Sequence, residues 1–299
     1  MKEVTGKTAF ITGGANGIGL GMAEAFCEAG MSVMIADIRP DSLETAKSHL
    51  SRFENSVQTI LLDVTDREAF AEAADKTEKI FGKIHVLCNN AGINVFGPPH
   101  ESSYDDWDWI IDVNLKGVVN GLKCFIPKIL SHGEGGHIVN TASMSAFIVT
   151  TTTGAYTATK YAVRGLSEVL WYHMAPHNIG VSILSPGFVA THIHHCEELR
   201  PQRYKDAANP ITGETAKKMD DMVHPAAMDP FVVGELVLEA IKKNKMYIFT
   251  HPDSKEEVRE NCEEILAAFP EEDPKSKSKE FEDARWQELK KIKEQYGPR

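Results

Sequence analysis

Thr8-Ala9-Phe10-Ile11-Thr12-Gly13-Gly14-Ala15-Asn16-Gly17-Ile18-Gly19 reads as a short β-rich run that breaks into a glycine turn and opens a helix. The free N–H groups and positive end of a helix placed this way can hold a dinucleotide pyrophosphate. Gly13, Gly17 and Gly19 let the backbone come close to the phosphates and to the first strand, with Asn16 and Ile18 between them. The spacing G-x3-G-x-G is neither G-x-G-x-x-G nor a phosphate loop, since no GK[ST] follows.

Outward from this turn, the first 250 residues alternate short apolar β-rich runs with amphipathic stretches. That rhythm predicts a single-domain α/β fold of the Rossmann type, a doubly wound parallel sheet of about seven strands covered by helices on both faces. The predicted strands are Thr8–Thr12, Ser32–Asp37, Val57–Asp63, Val86–Asn89, His137–Ala142, Val181–Ser185 and Tyr247–Thr250. Thr65-x-x-Glu68 predicts a capping-box start for one helix and Gly82 its stop, while Asp229-Pro230 opens another. Ligands of such a sheet bind beyond the C-terminal ends of its strands.

Two segments depart from the rhythm. Residues 190–228 have no clean period and are rich in His, Pro, Arg and Met, which predicts a substrate loop. Residues 251–299 are dense in Lys and Glu, with scattered Ile265, Leu266, Phe269, Phe281 and Trp286. They read as a charged helical C-terminal extension, either solvated or packed on a neighbouring subunit. Residues 1–250 then form the dinucleotide-binding and catalytic domain.

The net charge of −11 and pI near 5.6 argue against a nucleic-acid partner. No apolar run at the start is long enough for a signal-peptide core or a membrane span. Five scattered cysteines without a CxxC pair read as reduced thiols, so a cytoplasmic location is expected.

The remaining cofactor contacts fall at predicted strand ends. Asp37 closes the second strand, where a carboxylate accepts both adenosine ribose hydroxyls and repels a 2′-phosphate, which favours NAD. Arg39, two residues on, keeps NADP possible. Asp63 and Val64 end the third strand and can flank the adenine. Asn90, Ala91 and Gly92 follow the fourth, where small residues let a ribose lie against the backbone.

Tyr156 and Lys160 are four residues apart and project from one helix face, and Ser143 ends the preceding strand toward the same crevice. A phenol, with a pKa near ~10, is a poor base at neutral pH. An ammonium ~4 Å away at an effective dielectric of ~20 is worth roughly 4 kcal/mol, or about three pKa units. Tyr156 can then exchange a proton with an alcohol or ketone while a hydride moves to or from the nicotinamide, with Ser143 holding the substrate oxygen. Tyr156 and Lys160 also count among the cofactor contacts, Lys160 through the nicotinamide ribose hydroxyls. Asn114 is expected to kink its helix and hold a proton-relay water.

These motifs resemble the short-chain dehydrogenase/reductase family over about residues 6–250. The pattern TGxxxGIG is met by Thr12–Gly19, NNAG by Asn89–Gly92, and the active-site Asn, Ser, Tyr and Lys by Asn114, Ser143, Tyr156 and Lys160. The PGxxxT element is Pro186-Gly187-Phe188-Val189-Ala190-Thr191, which the resemblance assigns to the carboxamide end of the nicotinamide, bringing Pro186, Gly187, Val189 and Thr191 to the cofactor. It also implies a homodimer or homotetramer, with apolar faces at Trp107, Leu115, Val118, Leu166, Leu170 and Trp171. Leu199–Tyr204 and Tyr104–Ile111, with the C-terminal extension, resemble bacterial enzymes that oxidise benzylic alcohols of aryl ethers.

The crevice mouth is expected to be lined by Val95, Phe96, Ser145, Phe147, Ile148, Tyr161 or its neighbours, Phe188 and the loop after Thr191, a largely apolar set suited to a small-molecule aromatic secondary alcohol or ketone. His192, His194 and His195 are expected to meet substrate or solvent and no metal, since the reaction needs none. An NADPH-dependent ketoreductase shares every motif. A non-catalytic nucleotide-binding scaffold would be expected to have lost Tyr156 or Lys160.

Overall fold

Seven parallel strands form one sheet in the order β3-β2-β1-β4-β5-β6-β7 in the computed structural model, which describes residues 1–270 and 278–297. The strands are β1 (Thr8–Thr12), β2 (Ser32–Asp37), β3 (Val57–Leu61), β4 (Val86–Asn89), β5 (Gly136–Thr141), β6 (Ile179–Ser185) and β7 (Tyr247–Phe249). The strand calculated from sequence as Val57–Asp63 ends earlier, at Leu61, because Asp63 leaves the ladder to accept from Thr65 N and Oγ1. β1 pairs with β2 on one side and β4 on the other, so the winding reverses between β1 and β4. A crevice opens at that reversal, beyond the carboxyl ends of the strands.

Side chains alternate between two cores, as the pleat requires. Ala9, Ile11, Val33, Ile35, Val86 and Cys88 face helices α1 (Gly17–Glu28), α2 (Pro40–His49) and α8 (Pro230–Lys243). Phe10, Met34, Leu87, Ile138 and Ile183 face α3 (Arg67–Phe81), α5 (Gly117–Ser131) and α6 (Gly154–Met174). Phe10 lies 4.4 Å from Phe125 and 6.1 Å from Phe70, centroid to centroid. Full burial of such a side chain is worth about 1.5–3 kcal/mol. On the opposite face α1 and α8 cross so closely that a Cβ on Gly21 would stand 2.0 Å from the Pro230 carbonyl oxygen.

Helix α3 starts one residue later than Thr65 suggests. Asp66 is its cap, accepting from Glu68 N and Ala69 N at 3.0 Å, while Thr65 is held by Asp63. A carboxylate that accepts twice at the positive helix end outcompetes a threonine already engaged. Gly82, at φ +81°, ends α3 as expected. Asp229 caps α8 through Phe231 N at 2.8 Å, with Pro230 at the first helical position.

Segment 190–228 is more ordered than its lack of period suggests. It contains 3-10 turns at Ile193–Leu199, Gln202–Tyr204 and His224–Ala226 and helix α7 (Gly213–Val223). The segment leaves and returns at one point, where Ala190 N donates to Met228 O and Met228 N to Phe188 O, both at 3.0 Å. It packs on α4 (Tyr104–Ile111), whose start carries a capping box of Ser103 and Asp106.

Helices α9 (Lys255–Ala267) and α10 (Lys279–Tyr296) follow β7, and neither contains a fully buried residue. Ile292 and Tyr296 nevertheless pack against this chain's own core, and Asn261 Nδ2 donates to Phe147 O. Residues 271–277 and 298–299 of the expected extension lie outside the described residues. Val118 and Trp171, expected on association faces, are buried within this chain instead. No helix among the described residues is long and apolar enough to cross a membrane.

Candidate active site

A cavity of about 310 Å³ runs along the strand ends, lined at one end by Asp37 and Asp63 and at the other by Ser143, Tyr156 and Lys160. Every site residue named from sequence borders it except Gly19 and Asn114, which act from behind its wall. Gly19 has no room for a side chain, since a Cβ there would stand 2.1 Å from Gly13 O. Gly17, at φ +48°, faces Thr191, whose Cγ2 would lie 2.8 Å from an added Cβ. The amide nitrogen Nδ2 of Asn16 is buried here without a hydrogen-bond partner, a donor left for a ligand.

At the other cofactor end, the buried Asp37 carboxylate accepts from Ala15 N at 3.2 Å and Arg39 N at 3.1 Å, which fixes its orientation. Arg39 Nε stands 3.5 Å from the same carboxylate. Asn90 is a tie between loops: its Nδ2 donates to Thr12 O and Gly13 O, and its backbone N to Thr12 Oγ1. Ala91 N donates to the same Thr12 hydroxyl. Gly187 N is anchored by Thr250 Oγ1 at 2.9 Å, and Pro186 O accepts from Met144 N.

Tyr156 and Lys160 stand one turn apart on α6, with Lys160 Nζ 5.4 Å from the Tyr156 ring centroid. Nζ donates to Thr141 O at 2.9 Å and is otherwise enclosed by protein, which pushes its pKa down to about 8. Burial raises the Tyr156 phenol above its ordinary value, with the Ser143 hydroxyl acting against the rise. The expected lowering of Tyr156 by roughly three pKa units through Lys160 is therefore corrected. Enclosure that would strengthen the charge pair also desolvates both members, and desolvation dominates here.

Asn114 sits in a π-helical turn, Asp112–Lys116, between α4 and α5, so the expected distortion of this helix is present. Its Oδ1 accepts from Ile93 N at 2.9 Å, and its Nδ2 donates to Ile93 O at 3.0 Å and Thr159 Oγ1 at 3.2 Å. Thr159 Oγ1 donates to Tyr156 O, so Asn114 couples the exit of β4 to the turn that carries Tyr156.

Of the residues expected individually at the crevice mouth, only Phe188 borders the cavity. Val95 is buried in a small cluster with Trp109, and Phe147 packs against Tyr247 and Phe249 under the Arg164 guanidinium. Phe96 stacks near His194, and Tyr161 points to solvent. This side of the cavity is otherwise built by Ile93, Trp109 and Val113 and, as expected of the loop after Thr191, by His192, His194, His195, Cys196, Leu199 and Val223. Those from His192 to Val223 lie on the covering segment, whose placement no local periodicity reveals.

That covering segment is tied down by polar contacts. Arg200, largely buried, pairs with Asp106 at 2.6 Å and with Glu197, and its guanidinium lies 4.4 Å over the Trp109 ring. Tyr204 OH donates to Asp112, and Arg203 Nη2 reaches Thr65 Oγ1 at 2.6 Å and Asp63 at 3.3 Å. Cys196 Sγ donates to Asn94 O at 3.0 Å, and burial pushes its thiol up to about 11, so it stays protonated. His194 and His195 both engage Asp220 of α7.

A family model for short chain dehydrogenases matches residues 7–201, and the chain belongs to that family of oxidoreductases acting on alcohol groups. It is 35% identical to a C alpha-dehydrogenase of a Sphingobium strain over 89% of this chain and 87% of that protein. A putative short-chain dehydrogenase from Novosphingobium aromaticivorans superposes with a TM-score of 0.83 at 41% identity, covering 98% of this chain and 99% of that one. A short-chain enzyme from Burkholderia phymatum, solved in complex with NAD, does so with a TM-score of 0.83 at 34% identity, covering 92% and 100%.

Proposed function

We propose that this protein is an NAD-dependent dehydrogenase that interconverts a hydrophobic, aromatic secondary alcohol and its ketone. The observation that carries the reading is the single cavity with Ser143, Tyr156 and Lys160 at one end and the oriented Asp37 carboxylate at the other. The residues fit a dinucleotide: Asn16 Nδ2 is an unpartnered donor on the cavity, and the glycines at 13 and 17, both at positive φ, let the turn pack tightly against Ala91 and Thr191 beside it. Gly13, Asn16, Gly17 and Ile18 would hold the pyrophosphate, Asp37 the adenosine ribose, and Asp63, Val64, Asn90, Ala91 and Gly92 the adenine and ribose edges. Pro186, Gly187, Val189 and Thr191 would hold the carboxamide, and Gly19 supports the turn. When bound, the nicotinamide supplies the hydride acceptor or donor and, oxidised, a positive charge beside the phenol.

Tyr156 Oη is the proton-exchanging group in this reading, and its burial excludes bulk water from the transfer. Ser143 Oγ, which accepts from Ser145 N at 3.1 Å, can donate its own proton to the substrate oxygen and stabilise a developing alkoxide. Lys160 carries a charge that burial has made easy to release and holds it beside the cofactor ribose site. Asn114 positions Tyr156 through Thr159 and holds the Ile93 backbone.

The aromatic and apolar wall of Trp109, Ile93, Val113 and Leu199 supports a bulky hydrophobic substrate, as does the similarity to a C alpha-dehydrogenase. Arg39 favours a second reading, an NADPH-dependent ketoreductase, because its guanidinium stands beside Asp37 where a 2′-phosphate would lie. Residues 1–250 act in this proposal as the catalytic domain and 251–299 as an accessory extension. The protein works as a cytoplasmic homodimer or homotetramer. The test is a screen of NAD+ and NADP+ reduction across aryl carbinols, aliphatic alcohols, steroids and sugars. Turnover of aryl carbinols with NAD+ is expected. A clear NADP+ preference would sink the cofactor assignment, and turnover confined to sugars the substrate class.

A further inference from the structure

We propose that the substrate side of the cleft contains a site for a zinc-class divalent cation, formed by His192 Nδ1, His195 Nε2 and Asp220 Oδ2. These three atoms lie within 4.8 Å of one another, although Asp220 comes from α7 and the histidines from the start of the covering segment. Asp220 Oδ2 is 2.9 Å from His195 Nε2 and 3.8 Å from His192 Nδ1. A tetrahedral ion with bonds of roughly 2.0–2.1 Å places its ligand atoms about 3.4 Å apart. The two gaps to Asp220 therefore need to change by only about 0.5 Å each.

The surroundings complete the arrangement. Glu198 Oε1 stands 2.9 Å from His195 Nδ1, so it can keep an Nδ1 proton there when a cation displaces the proton that Nε2 shares with Asp220. Carboxylates in this position behind a histidine raise its basicity and fix its ring. His194 Nδ1 lies 2.8 Å from the other carboxylate oxygen of Asp220, which orients Oδ2 toward the pair. No Lys or Arg pairs with Asp220 among the described residues. A second cluster, His85, His132 and Glu134, meets the same distance criterion, but Lys7 and Lys83 both hold Glu134 and oppose an added cation.

Three protein ligands leave a fourth tetrahedral position, which falls on the cleft that both histidines line. The ion would join α7 to the Ile193–Leu199 turn and so hold the covering segment in place. It is not required for the Tyr156 proton transfer, and the site stands apart from the cofactor assignment.

The test is calorimetric titration of the full chain with Zn2+ at pH 7.5, repeated for His192→Ala, Asp220→Asn and Glu198→Gln. One Zn2+ per chain is expected, with affinity reduced about 10-fold or more by Glu198→Gln and further by the other two. His192 is exposed, so His192→Ala removes a ligand without endangering the fold. Tryptic cleavage after Lys217 and Lys218 of α7 should slow when Zn2+ is added to the native chain. Absence of binding overturns the proposal. So does binding that is unchanged in His192→Ala, or that is lost on Glu134→Gln instead.

Discussion

Lys160→Met should stabilise the protein at neutral pH while abolishing turnover, and the gain should shrink as pH rises. Burial lowers the Lys160 pKa from its ordinary 10.5 to about 8. The folded state therefore binds its proton less tightly than the unfolded chain, and stability rises with pH between those values. Below about 8 the folded state carries the full cost of a buried ammonium, roughly 3 kcal/mol by the pKa difference. Methionine removes that cost but also the hydrogen bond to Thr141 O, worth roughly 1.5–3 kcal/mol for a charged donor. The net gain near pH 7 is about 1 kcal/mol. At pH 9.5 most folded protein holds Lys160 neutral, and about 2 kcal/mol of the difference has disappeared, leaving the variant no more stable than the native chain. Unfolding entropy of about 2.1 cal/mol/K for each of 299 residues converts that change into roughly 3 °C. Thermal melts of both proteins at pH 7 and pH 9.5 read it directly, and comparison of the pair cancels other titrating groups. An offset between the two melting temperatures that is the same at both pH values would refute the argument.

Three further outcomes follow from the same geometry. Tyr156→Phe should lower kcat about 10²–10⁴-fold in an NAD+ reduction assay while leaving NAD+ affinity by fluorescence titration unchanged; undiminished turnover would remove Tyr156 from the mechanism. Asp37→Asn should lower kcat/KM for NAD+ by about 10–100-fold, the loss of a charged acceptor worth roughly 1.5–3 kcal/mol, and raise it for NADP+ as repulsion of the 2′-phosphate is relieved. Steady-state comparison of both cofactors checks this, and an unchanged ratio would contradict it. Arg200→Ala breaks a buried pair with Asp106, a change that costs about 3–5 kcal/mol in such settings. It should raise KM for a bulky substrate at least about 10-fold and speed proteolysis of the covering segment, and Arg200→Lys should restore only part because it cannot bridge Asp106 and Glu197 in one plane.

The glycine turn and the Ser143/Tyr156/Lys160 set were legible because each depends on residues near in sequence. Gly13–Gly19 is a local turn, and Tyr156 and Lys160 share one helical face by spacing alone. The strand runs were legible for a related reason: strands buried on both faces must be apolar almost without interruption. What local spacing could not provide was the balance between charge and burial. The distance between Lys160 and Tyr156 was foreseeable, but the enclosure that lowers one and raises the other is a property of the packed crevice.

The covering segment is the opposite case, and its opacity has a physical origin. Its contacts join Arg200 to Asp106, Tyr204 to Asp112, Arg203 to Asp63 and Cys196 to Asn94, pairs separated by roughly a third of the chain or more. Such contacts leave no period, because each polar side chain is positioned by its partner and not by a repeating apolar face. The same reason explains why most of the apolar residues expected at the mouth lie elsewhere, while Phe188 and the loop after Thr191 do line it. Val95 and Phe147 are apolar enough to line a pocket, yet a core accepts them equally well, and only the covering segment decides which apolar surface stays open. Under the proposed function, substrate choice would rest on ion pairs that fold a polar segment over Trp109 and Val113, and the chemistry on α6. Changes to the ion pairs should alter KM and substrate range before they alter kcat, whereas changes at Tyr156 should act on kcat first.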